Sequence, residues 1–256
     1  MNIKVKTFGG GPFSLLTVAL QCINYDYKNN LDKIENIYLD IDKTSINPFN
    51  YVLEQSSEMS FDSIINCHET HQRRLKNDIN ASLTYTDLFN HPDLINLKKI
   101  IKKLKIKNKV SDKLTIFNDK TLGVHIRLTD MNNVHPEHGK FTIDNYISKI
   151  KTVLDSDPTL NSIFIASDND ESITKITSLF SDHKITWNNV SNRSLKENNS
   201  AYINYQFKSL SNEMFWIDSF LEMLSLSLCD ELIQRVSNLS HSSLIFSEKI
   251  KKIHKL

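Results

Sequence analysis

Two stretches of this chain follow one order of patterns: an alternating strand, a polar or glycine turn, a helical run, then another strand. The first opens at Ile3 to Phe8, where apolar and polar residues alternate. Gly9, Gly10, Gly11 and Pro12 punctuate it, an apolar helical run follows from Phe13 to Ile23, and Ile37 to Ile41 reads as the next strand. Such an order predicts layered α/β structure. The second stretch is longer. Strands are expected at Leu122–Leu128, Ser162–Ala166, Lys184–Trp187 and Glu231–Val236. Helices are expected at Asp144–Leu154, Glu171–Phe180 and Phe215–Leu228, and a further helix opens after the polar turn Ser237-Asn238. Residues 43–92 mix short elements without a clear order.

Leu94, Leu97, Ile101 and Leu104 give helical periodicity to the stretch between the two halves. Asn108, Ser111, Asp112, Asn118 and Asp119 then interrupt it. We therefore expect two domains around a cleft, residues 1–115 and 116–256. Lys249 to Leu256 read as a basic helical end.

Composition narrows the function classes. A chain of 256 residues with 39% hydrophobic residues can bury a sizeable core. Three scattered cysteines, Cys22, Cys67 and Cys229, exclude a disulfide framework. Thirty-one basic against 30 acidic residues leave a net charge of +1, so no global field recruits nucleic acid. Lysines do cluster between Lys98 and Lys113. Without a stacking surface or known motif, that cluster reads as a solvated helix face, with membrane-surface contact as a further role. The run Phe13–Ile23 is too short to span a bilayer. The expectation is a reduced, cytoplasmic protein with no transmembrane segment.

The densest polar signal is Gly123-Val124-His125-Ile126-Arg127-Leu128-Thr129-Asp130. Strand side chains alternate faces, so His125 and Arg127 share one, at the strand's carboxyl end. Ligands of open α/β sheets gather there. Arg127 suits a phosphate by bidentate charged hydrogen bonds, or it forms a salt bridge with Asp130. Gly10 and Gly11 sit where bare backbone can approach an anion, a sugar or an acceptor, or simply turn the chain. They match neither GxGxxG nor a P-loop.

The polar loop after Asp130 holds Glu137, a candidate general base, with His135 and His138 as alternatives. No zinc-ligand spacing occurs there, and no metal is expected. Asp168, in Ser167-Asp168-Asn169-Asp170, either caps a helix or accepts from ribose or base. Glu222 interrupts an apolar helix and either accepts from guanine N–H groups or lies at a partly exposed edge. Ser237 and Asn238 open a helix whose N–H groups suit phosphate, or Ser237 is an ordinary cap.

Together these segments resemble the fucosyltransferase superfamily that carries the HxRxxD motif, comprising the α-1,6-, nodulation and protein O-fucosyltransferases. His125-Ile126-Arg127-Leu128-Thr129-Asp130 is similar to that motif. Glu222 to Asn238 resembles its C-terminal helix, strand and serine-rich turn, and Ile163 to Asp168 its intervening strand. Gly9 to Phe13 resembles its glycine turn more loosely. The close part covers residues 122–247.

The resemblance implies a GT-B-like fold of two Rossmann-like domains facing across a cleft. Residues 1–115 would form the acceptor side and 116–256 the nucleotide-sugar side. It implies inverting transfer of L-fucose from GDP-fucose to a glycan or other hydroxyl acceptor, with no obligatory metal cofactor. Arg127 would bind the β-phosphate and stabilise departing GDP, and His125 would contact the nucleotide. Glu222 would hold guanine, Ser237 and Asn238 would bind phosphate, and Glu137 lies near the carboxylate proposed as base. Departures exist. Leu128 stands where HxRRTD has a second arginine, Met131 where a lysine often follows, Asn238 for serine and Glu222 for aspartate. A noncatalytic nucleotide- or carbohydrate-binding module on the same scaffold is the alternative. The short chain implies short acceptor loops, with a partner or homo-oligomer completing the cleft.

Overall fold

The computed structural model describes residues 1–7, 12–41, 47–56, 58–70, 72, 88–128, 141–190, 212–235 and 237–256. Their strands form two parallel sheets. In the first, β1 (Asn2–Thr7) lies between β2 (Asn36–Ile41) and β3 (Ser63–Asn66). Helix α1 (Pro12–Tyr27) carries the chain from β1 to β2. Pro12 suits its first turn, because that N–H has no intrahelical partner to lose. Helices α2 (Leu94–Ile101) and α3 (Asn108–Ser111) follow β3.

The second sheet has the order β6-β5-β4-β7-β8. These strands are β4 (Thr121–Ile126), β5 (Ser162–Ser167), β6 (Lys184–Trp187), β7 (Glu231–Gln234) and β8 (Lys252–Lys255). Every residue of β4 and β5 is buried, as expected of central parallel strands covered on both faces. Helices α4 (Ile143–Ser156), α5 (Asp170–Leu179), α6 (Glu213–Ser227) and α7 (Asn238–Phe246) connect them. Side chains start the helices. Asn145 Oδ1 accepts from the Thr142 N–H at 2.8 Å, Asn169 Oδ1 from Ser172 N–H at 2.8 Å, and Asn212 Oδ1 from Phe215 N–H at 3.2 Å.

Alternation sorts the second sheet into two faces. Leu122, Val124, Ile126, Ile163, Ile165 and Ile233 pack with Tyr146 and Ile150 of α4 and Ile173 and Ile176 of α5. Phe164, Ala166 and Leu232 join a different core with Trp216 and Phe220 of α6 and Leu244 of α7. That core continues into Ile3, Val5, Leu16 and Leu20 of the first sheet and its helix. Phe13 meets Phe220 with ring centroids 5.4 Å apart, and Phe49 meets Trp216 edge-on at 5.1 Å. Helices α6 and α7 thus fasten the two sheets to each other. The architecture is GT-B-like, with two parallel sheets flanked by helices.

The basic helical end expected over Lys249 to Leu256 is instead the edge strand β8. It pairs in parallel with β7, Ile253 in register with Leu232, and His254 Nε2 lies 2.7 Å from Glu231 Oε2. So short a tail cannot nucleate an isolated helix, whereas an open sheet edge offers it partners. Strand β3 lies in the region the sequence pattern left unordered. Four lysines of the cluster have partners within the fold, while Lys99, Lys102, Lys105 and Lys109 are exposed. Lys98 Nζ donates to Ser247 O, Lys107 Nζ to Asn50 O, Lys109 pairs with Glu213, and Lys102 pairs with Glu248. The three cysteines are free and buried. Among the described residues, no helix is long and apolar enough to cross a membrane.

Gly123 sets how closely α6 approaches β4. A Cβ there would lie 3.0 Å from Cys229 Sγ and 3.2 Å from both Cys229 Cβ and Leu226 Cδ2. Gly123→Val should therefore destabilise the chain by about 1–3 kcal/mol, read as a lower urea midpoint. Adding Cys229→Ala should restore part of the loss. A midpoint unchanged by Gly123→Val would contradict this packing.

Candidate functional site

The order of the second sheet makes a crevice. From β4 the chain winds outward through β5 and β6 with its helices on one face. It then returns past β4 to β7 and β8 with α6 and α7 on the other face. The winding reverses between β4 and β7, and ligands of open α/β sheets bind outside the carboxyl ends of the strands at such a point. In this chain β4 ends at Ile126 and β7 at Gln234, with His125 opposite Gln234 in register.

His125 is buried, and its Nδ1 lies 3.3 Å from Ser237 Oγ. Ser237 Oγ in turn caps α7, accepting from the Ser240 N–H at 3.2 Å. The last inward residue of β4 therefore fixes the N-terminus of the helix that follows β7. Ser240 reinforces the turn, its hydroxyl donating to Ser237 O at 3.0 Å and Arg235 O at 3.4 Å. Asn238 is the first residue of α7 and is half-buried.

Arg127 follows β4 directly and is half-buried. Its backbone N–H points to the Tyr146 hydroxyl at 3.5 Å. Beside it, Asp168 Oδ1 accepts from the Leu128 N–H at 3.2 Å, which ties the end of β4 to the end of β5. Capping of α5 falls to Asn169, whose Oδ1 takes both the Ser172 N–H and the Ser172 hydroxyl. The carboxyl edge thus gathers His125, Arg127, Asp168, Ser237 and Asn238. Glu222 lies half-buried on α6, between buried Leu221 and Met223, and the hydrogen bonds above form without it. Gly10, Gly11 and Glu137 lie outside the described residues, as do His135 and His138.

Three further residues belong to this edge. Arg235, just past β7, is buried with its guanidinium 4.8 Å from the Phe141 ring centroid. Tyr146 of α4 is fully buried beneath Arg127. His241, one turn into α7, is buried as well. A cation ending an apolar strand was the available signal for Arg235. Its value depends on β7 lying beside β4, which a linear pattern does not reveal.

Burial, then the charge of Arg127 and the neighbouring His241, hold the His125 imidazole down to about 3. Burial, then Lys255, lower His241 to about 4. Both rings are neutral near pH 7, so His125 positions Ser237 as an uncharged hydrogen-bonding group. Burial raises the Tyr146 phenol above its usual range. Among the described residues, no three His, Cys, Asp or Glu side chains are grouped to hold a metal ion. Arg127 and the N-terminus of α7 at Ser237 and Asn238 thus stand at the same edge of the sheet.

The two histidines give stability a defined pH dependence. In the unfolded chain each takes up a proton near pH 6.5, whereas the native rings resist until about 3 and about 4. The unfolded state therefore binds more protons in this window, and stability is lost as pH falls below about 6.5. Each ring contributes about 1.4 kcal/mol per pH unit there. Between pH 6.5 and 4.5 the urea midpoint of His241→Gln should fall less steeply than that of the unsubstituted chain. Equal slopes would contradict the burial of a neutral His241.

No family model matches the chain, and no curated protein matches it. Solved structures match in fold. The fucosyltransferase NodZ from Bradyrhizobium superposes with a TM-score of 0.56 at 12% identity, covering 96% of this chain and 94% of that one. POFUT1 in complex with GDP-fucose gives 0.53 at 11%, covering 99% and 97%. A mutant of Arabidopsis thaliana FUT1 in complex with GDP gives 0.52 at 12%, covering 98% and 69%. At these identities the likeness establishes the fold, and the chain has the GT-B-like arrangement of two Rossmann-like units.

Proposed function

We propose that this protein is an inverting glycosyltransferase that transfers L-fucose from GDP-fucose to a glycan or other hydroxyl acceptor. The observation that carries the reading is the junction at the β4–β7 crevice. There His125 holds Ser237, Ser237 caps α7, and Arg127 stands beside them. Such a junction offers a diphosphate both fixed N–H groups and a guanidinium. The likeness in fold to a fucosyltransferase, and to structures holding GDP and GDP-fucose, supports the choice of donor.

In this reading residues 116–256 carry the nucleotide sugar and residues 1–115 shape the acceptor side. Glu222 accepts from the guanine edge, Gly10 and Gly11 admit the ligand against bare backbone, and Asp168 accepts from the donor. The acceptor oxygen attacks the anomeric carbon from the face opposite the diphosphate. The bond from that carbon to the β-phosphate oxygen breaks, and GDP leaves with the electron pair. Glu137 takes the acceptor's proton. Arg127, with the N–H groups opening α7, meets the charge that grows on the leaving group. Neutral His125 keeps the α7 N-terminus in place throughout, and no metal or covalent intermediate is needed.

Thermal-shift titration with GDP-, UDP- and CMP-sugars, followed by assay of released nucleotide, tests the proposal. GDP-fucose should stabilise the chain and turn over. Arg127→Ala should lower kcat about 100- to 1000-fold with the thermal midpoint held. Preference for UDP- or CMP-sugars would contradict the donor assignment. Tight binding without turnover across hydroxyl acceptors would identify a binding module instead.

A further inference from the structure

Of the three cysteines, Cys229 packs against Gly123 of the second sheet. The other two meet each other in the first unit. Cys22 is on α1, and Cys67 opens the helical turn directly after β3. Cys22 Sγ lies 3.8 Å from Cys67 O, and the two thiols share a hydrogen bond. Both are free, with 2% and 0% of their surface exposed. We infer that Cys22 and Cys67 form a reversible oxidation site, at which a peroxide joins the two thiols into a disulfide that staples β3 to α1.

The fold places the pair from both sides. Helix α1 runs back along the first sheet, so it meets the β3 segment in reverse order. The Tyr27 hydroxyl donates to Ser63 Oγ at 2.6 Å where β3 starts, and Cys22 meets Cys67 just past its end. Thr70 Oγ1 adds a bond to Asp26 Oδ2 at 3.0 Å. These ties hold the sulfurs side by side, so each thiol offers the other a high effective concentration. Access comes from β3 itself. It is a four-residue edge strand, paired among the described residues with β1, and Ile65 is its one buried side chain. A strand with so little apolar burial opens locally at a fraction of the cost of global unfolding. While β3 is closed, the shared hydrogen bond, then burial, hold the Cys67 thiol above its usual range, and a protonated thiol is a poor nucleophile. Opening of β3 thus controls the chemistry. The thiolate that forms attacks one oxygen of the peroxide, the O–O bond breaks, and the departing hydroxide takes up the thiol's proton as water. A sulfenic acid remains. Reclosing brings the second thiol to its sulfur, the S–S bond forms, the S–O bond breaks, and a second water leaves. The sulfurs lose two electrons and the peroxide oxygens gain them.

Treatment of the full chain with hydrogen peroxide, followed by alkylation of free thiols and peptide mapping, tests the site. The Cys22 and Cys67 peptides should be joined with a mass loss of about 2 Da, Cys229 should be alkylated, and dithiothreitol should release the link. The linked chain should melt about 5–15 °C higher, because the link closes a long loop of the unfolded chain. Cys22→Ala and Cys67→Ala should each abolish the link, and either serves if the other does not fold. Three free thiols after peroxide, separate oxygen adducts on Cys22 and Cys67, or a link to Cys229 would overturn the site. So would a link that forms only in urea that unfolds the chain. A linked chain that melts lower than the reduced one would overturn the staple.

Discussion

Everything at the site hangs on one close approach, that of α6 and α7 to the second sheet. Gly123 lets Cys229 and Leu226 sit against β4, where any side chain would hold them off. With α6 seated, α7 packs on the same face, and Ser237 falls within 3.3 Å of His125. Helix α6 also presents Trp216 and Phe220 to Phe49 and Phe13 of the first unit. One pair of helices thus orders the Ser237 turn and fixes the two sheets relative to each other. Removing a buried aromatic of this size from such a contact costs about 3–5 kcal/mol, a large part of a domain's stability.

The histidines at this edge are buried. His125 and His241 are neutral, so they add no charge that would have to be offset. Arg127 and Arg235 stand at the ends of β4 and β7, and Asp168 braces the Leu128 N–H. An imidazole that stays uncharged across the physiological range keeps its bond to Ser237 at every working pH. In the proposed reaction the N-terminus of α7 then stays aimed without reorganisation.

Much of this was legible in the sequence, for identifiable reasons. Alternation from Leu122 to Leu128 placed His125 and Arg127 on one face, and the fully apolar Ile163–Ala166 run marked a central strand. The helix start at Ser237 was readable because capping is local chemistry. Long-range facts were not readable. Residues 252–256 combine lysines with Ile253 and Leu256, a pattern a helix or an edge strand serves equally, and only the exposed edge of β7 decides between them. Strand β3 is four residues long with one fully buried side chain, too little for a periodic signal. Arg235 gains meaning only once β7 is known to neighbour β4, a consequence of strand order. Asp168 was read as a cap or a ligand group, and the structure gives the cap to Asn169 and a bracing bond to Asp168.

The central claim is that a nucleoside diphosphate binds at the reversal of the second sheet. A crystal structure of the complex with GDP tests it most directly. The account predicts phosphate oxygens within about 3 Å of the Arg127 guanidinium and of the backbone N–H groups that open α7 at Asn238. A diphosphate seated at another edge of either sheet, with Arg127 and Ser237 untouched, would contradict it.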